Sequence, residues 1–316
     1  DFESAISLAK SEQFDVIVGF GGGSCIDFAK ALSICSTHRK DVWEFVNLSN
    51  RPPAFIDRDK VLPIISVPTT AGTGSEVTPY SVVINNETLQ EGTIKDLSIV
   101  PKVAIVDPGL MRALPKDWTA ITGIDAFSHA LESFFNKTRR NEYSDMICVE
   151  AMKSIFHYLP RAFDDGNDLK ARSGVAYGAT LAGMAISIAG TTVGHALAHP
   201  TDARVGTPHG VSVGFYLLPV LKHTIPFEWE RFSTIADIFG EKGNLTGEDL
   251  SWKGVENIET FLSSFNQPRK LSDYNVSKET LTVIVDDALK YMFRPIKQHP
   301  KLFHYEELLE IVNEAY

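Results

Sequence analysis

The chain has 316 residues, 44% hydrophobic and 22% charged, with a formal net charge of −10 and three cysteines. That length buries a sizeable core and suggests about two domains, while the acidic balance argues against nucleic acid or an anionic membrane surface, both of which call for a basic face. No apolar run reaches the roughly 18–20 residues that span a bilayer, and Cys25, Cys35 and Cys148, an odd count without a C-x-x-C pair, read as free thiols of a reducing, cytoplasmic setting.

The opening stretch "DFESAISLAKSEQFD" is polar and helical in period, with neither an initiating Met nor a signal-peptide pattern. Next, "DVIVGFGGGSCIDFAKA" joins an apolar run to a burst of glycines and an amphipathic segment. A buried strand turning tightly into a helix that can hold a phosphate reads this way. Ser24 stands at the last position of the dinucleotide fingerprint G-x-G-x-x-G, and a helix is expected from about Ile26 to Ser36. Three more β-branched runs, "VLPIISVP", "YSVVIN" and "KVAIVD", are bounded by Gly, Pro and Asp and suit a parallel sheet buried on both faces. After the first of them, "SVPTTAGTGSEVTPY" sets Thr69, Thr70, Thr73 and Ser75 among Gly72 and Gly74. A Ser/Thr-rich turn is the commoner use of such residues. Both glycine-rich loops, however, follow strand-like runs, and such loops lie side by side at the carboxyl ends of an open parallel sheet, where nucleotides bind.

After "VDPGLMRALPKD" the composition shifts. From about Asp117 onward only helical periods appear, as in "WTAITGIDAFSHALESFF", "EYSDMICVEAMKSIFHYL" and "ARSGVAYGATLAGMAISIAG". Strands first and helices after imply an α/β domain over residues 1–113, a linker within 108–115 and an all-helical domain over 114–316.

The helical half carries a metal-like constellation. "GIDAFSHALES" sets Asp125 and His129 four apart, on one helical face, and "GHALAHP" does the same for His195 and His199. "TPHG" adds His209 at what reads as a helix start. A D-x-x-x-H pair alone is more often a hydrogen bond, and Ala196 stands where a metalloprotease H-E-x-x-H needs Glu, so hydrolytic zinc chemistry loses support. Three of the nine histidines nevertheless fall within fifteen residues in a charge-poor segment, where buried imidazoles need partners. One carboxylate with several imidazoles suits a divalent first-row ion such as Fe²⁺ or Zn²⁺.

"GFGGGSCIDFAKA", "PTTAGTGSEVTPYSVV", "GIDAFSHALES", "GHALAHP" and "TPHGV", in this order and spacing, closely resemble the iron-containing (group III) alcohol dehydrogenases, and the likeness runs through the C-terminal "YEELLEIVNEAY". The resemblance implies a truncated Rossmann-like dinucleotide domain, a helical metal domain and a cleft between them, the dehydroquinate synthase-like fold. It implies Asp125, His129, His195 and His209 as metal ligands and His199 as the catalytic residue, an unligated imidazole beside the substrate and nicotinamide that relays the proton. Gly22, Gly23 and Ser24 match the pyrophosphate cradle, Thr69 and Thr73 match the nicotinamide side, and Thr70 counts with them as cofactor-binding. The implied reaction interconverts a small alcohol and its aldehyde with NAD or NADP, the ion (Fe²⁺, alternatively Zn²⁺) polarising the substrate oxygen while hydride passes to or from the nicotinamide. The family resemblance also suggests a homodimer.

Three departures from the family pattern stand out. Family members usually carry about 80–100 residues ahead of the glycine burst, holding the first strands and the acidic residue that reads the adenosine ribose. "QEGTIKDLSIVP" has Glu91 where a ribose-contacting Lys is often found, with Lys95 nearby as the substitute. Asp202 and Arg204, in "HPTDARVGTPHG", stand where small or apolar residues are common. Charged residues are seldom buried, so a surface turn is expected there, with a role in shaping the substrate pocket as the alternative. Competing readings of function are a reductase of a specialised functionalised aldehyde, a glycerol-dehydrogenase-like zinc polyol enzyme, and an inactive piece lacking half of the cofactor site.

Overall fold

In the computed structural model, which describes residues 2–12, 14–48, 51–85, 87–241, 245–267 and 269–316, the opening polar stretch is helix α1 (Phe2–Ser11) and the apolar run after it is strand β1 (Ile17–Gly21). The glycine burst turns the chain into α2 (Gly23–Cys35). Gly19 makes the turn-back close: a Cβ there would lie 3.1 Å from Ala29 Cβ and 3.2 Å from Ile26 Cα. Strand β2 (Ile64–Pro68) pairs parallel with β1 from Ile17↔Ile64 to Gly21↔Pro68, and the short β5 (Val103–Ala104) pairs parallel with β2 at Ile65↔Val103.

Two expectations for this half need correction. "YSVVIN" forms β3 (Tyr80–Asn85), which pairs antiparallel with β4 (Gln90–Lys95) in a separate two-stranded sheet. Its partner lies one short turn away, and a hairpin needs no crossover connection. The parallel sheet is also not buried on both faces: α2 covers one, whereas Val18 (56%) and Phe20 (60%) on β1 are exposed.

The helical half holds α3 (Lys116–Phe135), α4 (Glu142–Asp164), α5 (Leu169–Ile188), α6 (Val193–Val205), α7 (His209–Ile238), α8 (Gly247–Ser263), α9 (Lys278–Tyr291), α10 (Phe293–Gln298) and α11 (Tyr305–Glu314). Helix α3 is its axle. Buried almost throughout from Thr119 to Phe135, it packs Phe127, Leu131 and Phe135 into a core shared with α4, α5, α7 and α8. A second core joins α6 and α7 to the C-terminal helices through Leu197, Tyr216, Ile284 and Ile311. A helix buried on all sides has no solvent face for its polar residues, so Asp125, His129 and Glu132 must find partners inside.

The Ser/Thr-rich loop after β2 locks the halves together. A Cβ on Gly74 (φ 63°) would come within 2.4 Å of Gly183 Cα on α5. Beside this contact, Thr180 donates to Glu76 Oε1 at 2.8 Å and Ser187 to Val77 O at 3.2 Å. No single helix among the described residues is long and apolar enough to cross a membrane.

Candidate metal centre and cofactor loops

Helix α3 presents Asp125 and His129, α6 presents His195 and His199, and α7 opens on His209. The turn between the last two is made by Gly206, left-handed at φ 78°, followed by Pro208. Gly210 lets α7 start hard against α3, since a Cβ there would sit 2.2 Å from Ile121 O.

Asp125 Oδ1 faces the Nε2 atoms of His195, His209 and His129 at 3.6, 3.7 and 3.8 Å. These separations are too long for hydrogen bonds. They suit donors arranged about one ion, which with bonds of about 2.0–2.2 Å lie roughly 3.3–3.6 Å apart in a tetrahedral set. Asp125 Oδ1 and His195 Nε2 are buried with no hydrogen-bond partner, a state that normally calls for a ligand or ion. The four residues therefore fit a divalent first-row metal. Burial alone would raise the Asp125 carboxyl, but the imidazoles around it hold it below the usual carboxylate range. Burial pushes His129 down to about 3. An ionised carboxylate and a neutral imidazole are the forms that bind metal.

Each of the other three imidazoles carries a carboxylate on Nδ1. Glu132, one turn beyond His129, accepts from His195 Nδ1 at 2.8 Å, His195 N at 3.1 Å, Thr192 Oγ1 at 3.0 Å and Thr192 N. Asp202 Oδ2 meets His209 Nδ1 at 2.6 Å, and Glu91 Oε1 meets His199 Nδ1. Such partners fix ring orientation and tautomer.

The sequence reading missed Glu132 altogether. It also placed Asp202 wrongly. Helix α6 continues through Pro200 to Val205, so Asp202 lies seven residues after His195 on the same face, and its side chain is 8% exposed rather than on a surface turn. Arg204 points the other way, donating to Asp287 at 2.8 Å. The signal was there in both cases, since residues i, i+4 and i+7 share a helical face. Glu91 stood out in the sequence only as a departure from the family pattern, and nothing there linked it to His199, since it comes from β4, 108 positions away.

The two glycine-rich loops meet at the carboxyl ends of β1 and β2. Thr69 N donates to Gly21 O at 2.9 Å. A Cβ on Gly23 would come within 2.5 Å of Thr73 Cγ2, and one on Gly22 within 3.5 Å of Thr70 Cγ2. The first backbone bonds of α2 run from Cys25 and Ile26 to Gly22 O, so the N–H groups of Gly23 and Ser24 lie in its unpaired first turn. Gly22, Gly23, Ser24, Thr69, Thr70 and Thr73 thus form one ledge suited to an anion. Lys95 is exposed, with its ammonium over the Tyr80 ring at 5.0 Å from the centroid. The cation that does serve this ledge is Lys30. Fully buried, it donates to Ser75 Oγ at 2.7 Å, Thr78 Oγ1 at 3.1 Å and Tyr80 O at 2.6 Å, so it braces the Ser/Thr-rich loop from beneath.

Residues 1–108 match the family model for iron-containing alcohol dehydrogenase, and residues 119–316 match that for the Fe-containing alcohol dehydrogenase family, C-terminal. A long-chain-alcohol dehydrogenase of Geobacillus thermodenitrificans is 34% identical over 289 residues, covering 91% of this chain and 72% of the relative. A 1,3-propanediol dehydrogenase of Klebsiella pneumoniae is 34% identical over 288 residues, covering 90% and 72%. Among solved structures, the archaeal halo-thermophilic alcohol dehydrogenase of a Red Sea brine pool superposes with a TM-score of 0.95 at 32% identity, over 100% of this chain and 80% of that one. With both halves matched and the donors converging as described, the chain belongs to the iron-containing alcohol dehydrogenase family.

Proposed function

We propose that this protein interconverts a small alcohol and its aldehyde using a nicotinamide dinucleotide and a divalent ion, iron by family and zinc as the alternative. The observation that carries this reading is the set Asp125, His129, His195 and His209, closing on one point with Asp125 Oδ1 and His195 Nε2 buried and unpartnered. When bound there, a divalent ion supplies Lewis acidity at the substrate oxygen, and a nicotinamide supplies or accepts hydride.

The chain's own residues do the rest. The N–H groups of Gly23 and Ser24, with Gly22 keeping the approach open, take the pyrophosphate. Thr69, Thr70 and Thr73 flank the nicotinamide side. His199, held by Glu91 at Nδ1, has Nε2 free to take or return the substrate's hydroxyl proton. Burial pushes His199 down to about 3, so it starts neutral. A ribose contact from Lys95 gains no support from its place over Tyr80. NAD and NADP are both open to this ledge. A homodimer in the cytoplasm completes the reading, in keeping with three unpaired cysteines.

The test is paired. His195→Ala should lose bound metal and turnover together, whereas His199→Ala should keep the metal, measured by elemental analysis after anaerobic purification, and lose turnover. Unchanged metal content in His195→Ala would overturn the ligand assignment. A panel of short alcohols and aldehydes against NAD(H) and NADP(H) then sets substrate and cofactor.

A further inference from the structure

Helix α4 buries one side in the core through Ile147, Ala151 and Ile155 and turns Tyr143, Met146, Glu150 and Lys153 outward, spaced i, i+3, i+7 and i+10 along one face. An outward helix face is ordinarily polar, yet Tyr143 is 55% and Met146 62% exposed, and Tyr177 on the neighbouring α5 is 51% exposed. Beside this apolar row, between α4, α5 and α7, runs a groove of about 810 Å³ lined by Phe134, Ile147, Val149 and Leu181. Arg231 of α7 lines it too. Its guanidinium lies 3.7 Å from the centre of the Phe134 ring and donates to Asp145 Oδ1 at 2.5 Å, while its Nε is buried with no hydrogen-bond partner. A buried donor left unpaired marks a place for an acceptor.

The charges around the groove are of both signs. Asp145 and Arg231 answer each other. Glu150, Lys153 and Glu230 also line the groove, and among the described residues none of these three side chains has an ion pair or a hydrogen bond. An anion entering here meets two free carboxylates, and a cation meets an ammonium and a guanidinium, so charge favours a small ion of neither sign.

We propose that this face is where two copies of the chain meet about a two-fold axis. The proposal rests on the homodimer put forward above and names its surface. A two-fold contact sets the same patch on both sides, so the patch must complement itself. This one does so in shape and in charge. A projecting apolar row stands next to an apolar groove, so Met146 of each copy enters the groove of the other. Lys153 of each copy is set against Glu150 and Glu230 of the other, which gives every unpaired charge of the rim an opposite partner. Tyr, Met and Arg are the side chains that such contacts gather at their centre, with the remaining charge left to the rim. None of these residues belongs to the metal donors or to the dinucleotide ledge, so association leaves both free.

The experiment is sedimentation equilibrium on the whole chain, with circular dichroism to show that each variant is folded. Met146→Asp changes a side chain that is already exposed. It should halve the mass, weakening the pair by about a hundredfold or more, the scale of a central interface anchor. Lys153→Glu leaves the unpaired rim charges all acidic, and the double variant Glu150→Lys, Glu230→Lys leaves them all basic. Each should self-associate about tenfold more weakly through like-charge repulsion, and the two mixed in equal amounts should pair more tightly than either does alone. Damage to the fold would give no such rescue. A parent dimer that neither Met146→Asp nor the charge reversals weaken overturns this face and leaves the homodimer standing. A monomeric parent overturns both and gives the groove to another occupant. Turnover of alcohol decides the dehydrogenase reading separately.

Discussion

Glu132→Gln isolates what a carboxylate does for a metal site it never touches. The substitution keeps size and shape, so packing around α3 is spared. Glu132 is buried, and its two oxygens are filled: Oε1 by His195 Nδ1 and His195 N, Oε2 by Thr192 N and Thr192 Oγ1. Whichever way the amide turns, its NH₂ faces a donor. Facing Thr192, it orphans a backbone N–H. Facing His195, it forces Nδ1 to accept, which moves the ring proton to Nε2, the atom aimed at Asp125, and a protonated Nε2 cannot ligate. Losing one buried hydrogen bond to a charged acceptor costs about 1.5–3 kcal/mol, which is roughly tenfold to a hundredfold in metal affinity, the range known for such outer partners. The assay is chelator competition under anaerobic conditions, with circular dichroism to show that the variant is folded. A folded Glu132→Gln holding metal within about twofold of the parent would refute the tautomer argument.

Close contacts and one buried cation give three more tests. Gly194→Ala should release metal as Glu132→Gln does, because its Cβ would lie 2.4 Å from Glu132 Oε1; chelator competition reads it, and unchanged affinity would show that the carboxylate can give way freely. Gly23→Ala should weaken dinucleotide binding, read by calorimetry, by about tenfold or more, since the new methyl would lie 2.5 Å from Thr73 Cγ2 on the facing loop and the N–H groups of a phosphate site must be closely approached. An unaltered Kd would detach that ledge from the cofactor. Burial pushes Lys30 down to about 8 from the usual 10.5. Between those values the unfolded chain holds the proton and the folded one does not, so stability rises with pH across that window. The rise is at most about 3 kcal/mol. Urea titrations at pH 8 and 10 should show it in the parent and not in Lys30→Met, and a Lys30→Met variant with the same rise would trace it to another group.

The converging residues Asp125, His129, His195 and His209 were legible because helical spacing is a strong rule and D-x-x-x-H and H-x-x-x-H stood in segments poor in charge, where buried imidazoles need partners. The two phosphate-friendly loops were legible because both followed β-branched runs. What failed had local physical causes. "YSVVIN" has the composition of any strand, and composition does not say whether its neighbour will be parallel or a hairpin partner. The exposed Val18 and Phe20 look in sequence like any buried apolar pair. Glu91 reaches the site only through the β3–β4 hairpin, a tertiary placement with no trace in its own neighbourhood.

Glu132 and Asp202 belong to a different category, since the rule that found the candidate metal donors would have found them too. Helix α3 carries Asp125, His129 and Glu132, and α6 carries His195, His199 and Asp202. Both are spaced i, i+4, i+7, and both put an outer carboxylate at the third position of one helical face. Each of those carboxylates serves an imidazole from elsewhere: Glu132 on α3 takes His195 of α6, and Asp202 on α6 takes His209 of α7. The helices are thereby cross-linked through these carboxylate–imidazole pairs. A shift of α6 against α3 or α7 would break a buried carboxylate–imidazole bond before it opened the donor set, and breaking such a pair is far more costly than never forming it. His129 alone lacks this bracing: its Nδ1 is buried without a partner, and the ring is held by stacking on His195 at 4.4 Å. His129, on the axle helix, needs least outside support, because packing along nearly the whole of α3 already fixes it.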